Sequence, residues 1–326
     1  MQRHRTAFAR RALLWLVVLA GTLAGGCSCS SKAPQSGDVD KGPWLVEAKD
    51  VLGRTLRLKT YPQRIVTTAP SNTDIVLQLG CRDRLVGIAD YYGYPELVEG
   101  IARVGGFDTP NLETILALKP DLVLVARGIR MEILERMRAF DLPVFCLDTV
   151  SIDDLYRDLT TVGRLLGVEE RAEALVERMG SEIAAITAKL AGLDESRRPR
   201  VFWLGQEEPL KTAGPGNLID TLFTLAGGRN VAADAQGDWI DYSLETLLVK
   251  DPEVIVVCAD MGSARVPTNE EVLRRLRADP TWAQISAVRS GRVHVVPTDL
   301  IGQPTPRVVD GLRLLARLFH PELFGG

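Results

Sequence analysis

Large aromatic side chains are the residues of this chain whose type and spacing best suit the binding of a ligand. Aromatic residues make up 6% of the 326 positions, yet several fall in segments predicted to be loops: Tyr91, Tyr92, Tyr94, Phe107, Trp239 and Tyr242. These loops lie at one end of the predicted strands, the edge at which open α/β sheets bind ligands. Flat rings bury a large area with few rotatable bonds, so the pattern predicts a large flat ligand. Neighbouring side chains on an extended chain face opposite ways. One of Tyr91 and Tyr92 is therefore expected to cover the sheet edge, and the other to face the ligand.

Metal ligands and catalytic motifs are scarce by comparison. The histidines are His4, His294 and His320, which are too dispersed for the clusters that zinc and manganese sites need. The sequence has no phosphate-binding glycine loop, no Gly-x-Ser-x-Gly elbow and no His-Glu-x-x-His motif. Cys146 and Cys258 fall in apolar runs and are predicted to be buried thiols, not zinc ligands or part of a disulfide framework. The sequence therefore gives little support to an enzymatic function.

One segment occurs twice, and it is the element that would position the aromatic loops. Residues 111–125 align without a gap on residues 243–257. Each copy indicates an Asn or Ser cap, a short apolar helix with Glu113 or Glu245 in its first turn, a proline stop and a buried strand. Two equivalent units predict two similar lobes, with a ligand held in the cleft between them.

Strands alternate with short helices in both halves, which predicts an α/β fold of two lobes with central, mostly parallel sheets. Between the halves, apolar residues recur at steps of three and four from Val168 to Leu190, the pattern of one long helix. We therefore predict an N-terminal lobe at 45–167, an inter-lobe helix at 168–192 and a C-terminal lobe at 193–326. A continuous helix resists bending, so the lobes are expected to move little on binding.

The N-terminus has the pattern of an export signal. Four arginines precede the uncharged apolar run from Ala12 to Ala24, which is too short to span a bilayer comfortably. Residues 1–26 are predicted to be a signal peptide that resembles a bacterial lipoprotein signal, with Cys27 as the lipidated residue. Ala24 departs from that pattern, which usually has Leu there, and the alternative is ordinary secretory cleavage that leaves the cysteine free. Residues 27–44 are predicted to be a flexible tether.

Ordered motifs in both halves resemble the cobalamin and iron-siderophore receptors of bacterial ABC importers. In chain order they are Arg64-Ile65-Val66, Ala69-Pro70-Ser71-Asn72-Thr73-Asp74, Leu85-Val86-Gly87, Tyr94-Pro95, Val104-Gly105-Gly106-Phe107, Thr212-Ala213-Gly214-Pro215-Gly216, Leu225-Ala226-Gly227-Gly228-Arg229-Asn230 and Pro306-Arg307-Val308-Val309-Asp310-Gly311-Leu312. The resemblance covers residues 45–322. It implies two Rossmann-like lobes joined by one backbone helix, as in class III periplasmic binding proteins, with the ligand in the cleft.

The resemblance also implies a role for the repeated glutamates. In the family, a Glu on each lobe pairs with arginines of the membrane permease, and the matching positions are Glu113 and Glu245. The alternative is that each carboxylate only favours its own helix, by about 0.3–1 kcal/mol through the helix dipole. That alternative accounts less well for the same offset in both copies, so we favour docking, with each carboxylate as a bidentate acceptor of arginine.

For the ligand, the resemblance implies a corrinoid. Trp239 matches a ligand-stacking Trp of the cobalamin receptor, Phe107 takes the place of another, and Ala126 replaces a third, which weakens the match. Gly106 stands where heme receptors tend to place a coordinating Tyr, which disfavours heme, although Tyr91, Tyr92 or Tyr94 could take that role. The polar cleft candidates, which could bond corrin amides or siderophore acids, are Arg127, Asp299 and Arg307. A capping or surface role is the alternative for Arg307.

Together these observations predict a membrane-tethered, monomeric solute-binding protein of an ABC importer. It is expected to bind cobalamin or a related corrinoid, to need no cofactor, and to deliver the ligand to a permease and its ATPase. A ferric siderophore is the second expectation, and heme is less favoured. The rival from another class is an extracytoplasmic enzyme or sensor domain that shares the lobes. The net charge of −3 argues against nucleic acid as a partner.

Overall fold

Strands and helices alternate along the chain in the computed structural model, which describes residues 44–90, 95–258 and 266–325. The described residues belong to one structural unit. The predicted signal peptide, Cys27 and the rest of the predicted tether up to Pro43 lie outside these ranges. So do three of the predicted aromatic ligand contacts, Tyr91, Tyr92 and Tyr94.

The first half of the described chain builds a five-stranded parallel sheet and its covering helices. In chain order the elements are β1 (Val46–Lys49), β2 (Thr55–Leu58), β3 (Ile65–Thr67), α1 (Pro70–Gln78), β4 (Leu85–Ile88), β5 (Ala102–Arg103), α2 (Leu112–Ala117), β6 (Leu122–Ala126), α3 (Met131–Ala139), β7 (Val144–Leu147) and α4 (Ile152–Leu166). The sheet order is β5-β4-β3-β6-β7, and β1 pairs separately with β2 in an antiparallel hairpin. Along β6, Leu122 and Leu124 enter one hydrophobic cluster and Val123 and Val125 another, because both faces are covered.

One helix, α5 (Glu169–Leu190), leads from this half to the next and confirms the predicted long helix. Its 22 residues correspond to a length of about 33 Å at 1.5 Å per residue. The buried residues form a stripe along one face and are Ala172, Leu175, Met179, Ile186 and Leu190. This stripe belongs to a hydrophobic cluster that contains residues from both halves of the chain. The helix is therefore part of the core and not an exposed linker.

The second half builds a four-stranded parallel sheet. In chain order the elements are β8 (Arg200–Leu204), β9 (Lys211–Ala213), α6 (Leu218–Leu225), β10 (Arg229–Asn230), β11 (Trp239–Asp241), α7 (Leu244–Lys250), β12 (Val254–Cys258), α8 (Asn269–Ala278), α9 (Ser286–Ser290), β13 (Val293–Val296), α10 (Thr298–Ile301), α11 (Val308–Phe319) and α12 (Pro321–Phe324). The sheet order is β10-β8-β12-β13, and β9 pairs with β11 in an antiparallel ribbon. Helices α6 and α11 pack against α5.

The repeated segment starts in the same way in both copies, as the sequence predicts. At the start of α2, the amide N–H of Thr114 donates to Asn111 Oδ1 at 3.0 Å. At the start of α7, the amide N–H of Thr246 donates to Ser243 Oγ at 3.2 Å. Each capping side chain satisfies an amide that the helix itself leaves without a partner.

The two copies also end in the same way, which no motif in the sequence predicts. Lys119 and Asp251 follow α2 and α7 with positive φ angles of 48° and 40°. Arg64, directly before β3, donates from Nε to two carbonyls at the end of α2. Arg200, the first residue of β8, donates from Nε to two carbonyls at the end of α7. An arginine at the start of each central strand thus holds the end of the repeated helix.

Candidate ligand-binding cleft

One ion pair links a helix that follows the N-terminal sheet to the loop before α11 in the C-terminal half. Asp74 lies in α1, which begins at the carboxyl end of β3, and Arg307 directly precedes α11, which follows β13 and α10. Arg307 Nε donates to Asp74 Oδ1 at 3.0 Å. Because ligands of open parallel sheets bind at this edge, the region between the two edges is the candidate cleft.

Trp239 presents an exposed aromatic ring at the edge of the C-terminal sheet. It is the first residue of β11 and is 56% exposed. Its ring centroid lies 5.2 Å from that of Trp203, with a tilt of 57° between the planes. Trp203 is a buried residue of β8. A buried indole therefore supports an exposed one, a contact worth about 0.5–1.5 kcal/mol beyond the area that it buries.

Trp203 is itself held from two sides. Its Nε1–H donates to Cys258 Sγ at 3.0 Å, at the end of β12. A β-carbon added at Gly205 would lie 2.2 Å from the Trp203 ring, so a larger residue there would displace the indole. Cys258 is only partly buried, and beyond filling space, as the sequence predicts, it fixes the tryptophan pair. Cys146 is buried as predicted, and burial raises the pKa of its thiol to about 11.

Tyr242 lies on the other face of the C-terminal sheet from Trp239. Its ring packs against Phe202, with 5.6 Å between centroids, and Phe202 and Trp203 belong to different hydrophobic clusters. The Tyr242 hydroxyl donates to the carbonyl of Val231 at 3.3 Å, and burial raises its pKa. The structure therefore does not bring Tyr242 together with Trp239. Its packing accounts for an aromatic residue there without a ligand.

Phe107 and Arg127 lie together at the carboxyl edge of the N-terminal sheet. Phe107 is 38% exposed, and a β-carbon at Gly128 would lie 3.1 Å from its ring, so the two loops are in close contact. Arg127 Nη1 donates to Asp148 Oδ2 at 2.5 Å, and this hydrogen bond raises the pKa of Arg127. The guanidinium remains largely exposed. Among the residues that the structure describes, this edge therefore offers the ring of Phe107 beside the exposed guanidinium of Arg127.

Arg307 and Asp299 lie between the lobes, but the structure gives the arginine a protein partner. Asp74 is 1% exposed at its side chain and Arg307 17%, so the pair is largely shielded from water. Burial raises the pKa of Asp74, while the hydrogen bond and charge of Arg307 oppose that effect. Asp299, in the first turn of α10, is close enough to add to the rise. Arg307 is the N-cap residue of α11, as one predicted alternative has it, but its side chain makes no capping hydrogen bond and bonds to Asp74 instead.

Glu113 and Glu245 are both exposed, in the first turns of α2 and α7. In both cases the following parallel strand ends at the cleft edge, so the start of the helix lies at that edge too. Ser243 Oγ–H donates to Glu245 Oε2 at 2.6 Å, and this hydrogen bond lowers the pKa of the carboxyl group. Both side chains are therefore available to a partner outside the molecule.

Sequence reasoning assigns no role to Asp74 or Trp203. One signal for Asp74 is its position directly before the apolar run from Ile75 to Leu77, because a buried acid requires a partner. One signal for Trp203 is strand alternation, which puts it on the opposite face of β8 from Phe202. In both cases the partner is distant in sequence, so the contact itself is visible only in the structure.

One sizeable cavity among the described residues lies outside the cleft. It has a volume of about 880 Å³ and runs along β10 at the outer edge of the C-terminal sheet. Three of its four lining cations have acidic partners: Arg200 lies 3.5 Å from Glu253, Arg229 3.6 Å from Glu195 and Lys250 2.5 Å from Asp234. The cleft is therefore the stronger candidate for a ligand site.

The described ranges contain no cluster of His, Cys, Asp and Glu that could hold a metal ion. No helix within them is both long and apolar enough to cross a membrane.

Two α/β lobes joined by α5 and by the Asp74–Arg307 pair, with an exposed aromatic ring at the carboxyl edge of each, have the architecture of a two-lobed ligand receptor. The sequence pattern of the periplasmic binding protein family matches residues 65–300, and the chain belongs to this family. Members of the family are solute-binding proteins, not enzymes. Those that serve ABC importers bind small molecules and work with a permease and an ATPase.

Two relatives match almost the whole chain. An uncharacterized ABC transporter substrate-binding lipoprotein of Bacillus subtilis, YvrC, is 27% identical over 326 residues, covering 97% of this chain and 99% of that protein. A cobalamin-binding protein of Halobacterium salinarum is 31% identical over 324 residues, covering 97% of this chain and 85% of that protein. The chain is thus an ABC substrate-binding protein of the group that includes vitamin B12, siderophore and heme receptors.

Solved structures confirm the predicted fold class. The periplasmic vitamin B12-binding protein BtuF of Vibrio cholerae superposes with a TM-score of 0.67 at 24% identity, covering 82% of this chain and 99% of that one. The periplasmic heme-binding protein RhuT of Roseiflexus sp. RS-1 gives a TM-score of 0.70 at 26% identity, covering 80% and 99%. The shared fold is that of the class III periplasmic binding proteins.

Proposed function

We propose that this protein is the receptor of an ABC importer for cobalamin or a related corrinoid, which it binds in the inter-lobe cleft. The observation that carries the proposal is the exposed Trp239 ring, held at the cleft edge by buried Trp203. A rigid, exposed indole suits a flat macrocycle, because stacking buries area without ordering a flexible side chain. The relative with 31% identity is named a cobalamin-binding protein, which supports this choice.

Phe107 and Arg127 are the proposed contacts on the opposite lobe. Phe107 would offer a second, smaller stacking surface, and Arg127 would donate to carbonyl groups of the ligand. The amides around a corrin ring present such carbonyl oxygens, which an arginine can bind with two parallel N–H groups. Asp299 would accept from an amide N–H, while Arg307 is left out because Asp74 occupies its Nε.

We further propose that Glu113 and Glu245 dock the loaded receptor onto the permease. Both carboxylates are exposed at the cleft edge, one on each lobe, and neither has to leave a buried site to meet an arginine. Such charge pairs align a complex and speed its formation. The leader pattern supports export, with Cys27 as the proposed lipid anchor, and the Bacillus subtilis relative is named a lipoprotein.

Calorimetric titration with cyanocobalamin, hemin and ferrichrome tests the ligand. We expect saturable one-to-one binding of cyanocobalamin and a loss of about 1–3 kcal/mol in Trp239→Ala through lost stacking area. Phe140→Ala is the matched control, because this ring is 55% exposed but follows α3 at the opposite edge of its sheet. Saturable ferrichrome binding with no response to cyanocobalamin would refute the corrinoid assignment.

Heme and ferric siderophores remain the second candidates. The heme receptor RhuT has 26% identity to this chain, and Ala126 stands where the resemblance to the cobalamin receptor implies a stacking Trp. The exposed cation Arg127 would suit the acidic groups of either ligand. Hemin binding that survives Trp239→Ala would favour this alternative.

A further inference from the structure

The ion pair between Asp74 and Arg307 is unusual in its position. The two residues are separated by 233 positions in sequence, one belonging to the N-terminal sheet's first helix and the other to the start of α11. They join the lobes directly at the cleft edge, whereas α5 joins them through the chain. Opening of the lobes about an axis away from this pair would therefore lengthen or break the contact.

The burial of the pair makes stability a poor explanation for its presence. Taking both charges out of water costs about as much as their attraction returns, so a buried ion pair adds little net stability. The raised pKa of Asp74 agrees, because burial disfavours its ionised form more than Arg307 favours it. A buried pair instead fixes the relative position of its two groups, because a misaligned pair leaves a buried charge without its partner.

The surroundings of the pair leave room for the lobes to shift. A small cavity of about 100 Å³ adjoins Arg307 and is lined on the α5 side by Leu175, Arg178, Met179 and Glu182. On the C-terminal side, Thr305 and Asp299 also act on the Asp74 carboxyl group. Arg313 of α11 bonds to Glu182 of α5, but this second ion pair is more than one-third exposed on both sides. Of these two pairs, only Asp74–Arg307 is buried.

We propose that Asp74 and Arg307 form an inter-lobe clasp that sets the width of the ligand cleft, so that Arg307 positions the lobes and does not contact the ligand. The clasp is a claim about lobe geometry and stands on the ion pair alone. Its consequence for affinity rests on the proposed cobalamin function. The two claims can therefore fail separately.

The first test measures the distance between the lobes. Spin labels carried on a ketone-bearing amino acid at positions 132 and 270, both exposed in the first turns of α3 and α8, report the opening of the cleft. In the full-length protein, the paired change Asp74→Leu with Arg307→Met removes the clasp and keeps the space filled. We expect a broader distance distribution with little loss of thermal stability. An unchanged distribution would overturn the clasp.

A second pair of variants keeps the test decisive if the apolar pair does not fold. Arg307→Lys keeps the charge but loses the planar fork, and Asp74→Asn keeps the shape but loses the charge; both should broaden the distribution less than the apolar pair. The matched control is Arg313→Met with Glu182→Leu, which removes the exposed ion pair of α11 and should leave the distribution unchanged. Lower thermal stability with an unaltered distribution in every clasp variant would show a structural role only.

Affinity provides the last readout. Cyanocobalamin should bind the apolar pair at least about tenfold more weakly, mainly through faster dissociation, because misaligned lobes no longer hold both faces of the ligand. If wild type binds no cyanocobalamin, the proposed function fails while the distance measurement still decides the clasp. Tight binding by the apolar pair with a broadened distribution would show that cleft width does not govern affinity, and would overturn that part of the proposal.

Discussion

The two lobes share their scaffold but differ at the cleft. In both, a capped helix with an exposed Glu leads to a central parallel strand, and an arginine, Arg64 or Arg200, holds the helix end. At the carboxyl edge the likeness stops: Trp239 stands on a buried indole in one lobe, whereas Phe107 rests on Gly128 in the other.

This difference separates two kinds of constraint. The shared features lie where the backbone needs its carbonyls and amides satisfied, which is the same requirement in both lobes. The features that differ lie where a ligand with two unlike faces would be held. The scaffold therefore carries what both lobes need for folding and, on the proposed function, for docking, and the edge carries the proposed ligand contacts.

The largest expected effect comes from reversing the charge of the shared glutamates. Glu113→Arg with Glu245→Arg should reduce uptake through the native permease to background, because like charges juxtaposed at an interface cost several kcal/mol. Fold and ligand affinity should stay near wild type, since surface substitutions usually change stability by less than about 0.5 kcal/mol. Uptake of labelled cobalamin by cells and calorimetry on the purified protein are the two measurements.

The control for this variant reverses two other exposed glutamates, Glu173→Arg with Glu177→Arg on α5, which changes the net charge equally at a site away from the edge. Uptake should survive in the control. If the Glu113 and Glu245 variant transports normally, docking must use other residues. Loss of ligand binding in that variant would instead place the glutamates in the pocket.

The next effect compares the two edges directly. Trp239→Ala should weaken cyanocobalamin binding by about 1–3 kcal/mol, and Phe107→Ala by about half as much, because a smaller and less exposed ring buries less area. Calorimetry on both variants gives the comparison. Equal losses would mean that both lobes contribute alike, and a larger loss for Phe107 would reverse the proposed order.

Much of the scaffold could be predicted from the sequence, and the edge only in part. The caps Asn111 and Ser243 and the long helix α5 follow from local rules of residue type and spacing, which need no knowledge of distant contacts. Asp74 and Trp203 could not be assigned, because their partners lie far along the chain. Tyr242 shows the converse difficulty: an aromatic residue beside a strand can pack against the core, as Tyr242 does against Phe202, and the side of the strand on which it falls decides this.

The scaffold itself can be tested at the two arginines. Arg64→Ala and Arg200→Ala should each lower the free energy of unfolding by about 1 kcal/mol, because carbonyls at the end of α2 or α7 lose their charged donor. Urea unfolding gives both values, with Arg57→Ala, which removes an exposed ion pair with Glu47, as the control expected to change little. If the two variants lost clearly different free energies of unfolding, the two copies would share the geometry of this contact but not its contribution to stability.

The smallest effect separates two residues with the same backbone conformation. Lys119 and Asp251 both have positive φ, a region that favours glycine, so Lys119→Gly should raise the free energy of unfolding by about 0.5 kcal/mol. Asp251→Gly should instead lower it by about 1 kcal/mol, since the Asp251 carboxylate accepts from both the amide and the hydroxyl of Ser286, each at 2.7 Å. Urea unfolding of the two variants distinguishes them. A gain in both would mean that the Ser286 contacts contribute nothing, and a loss in both would mean that Lys119 has a side-chain role of its own.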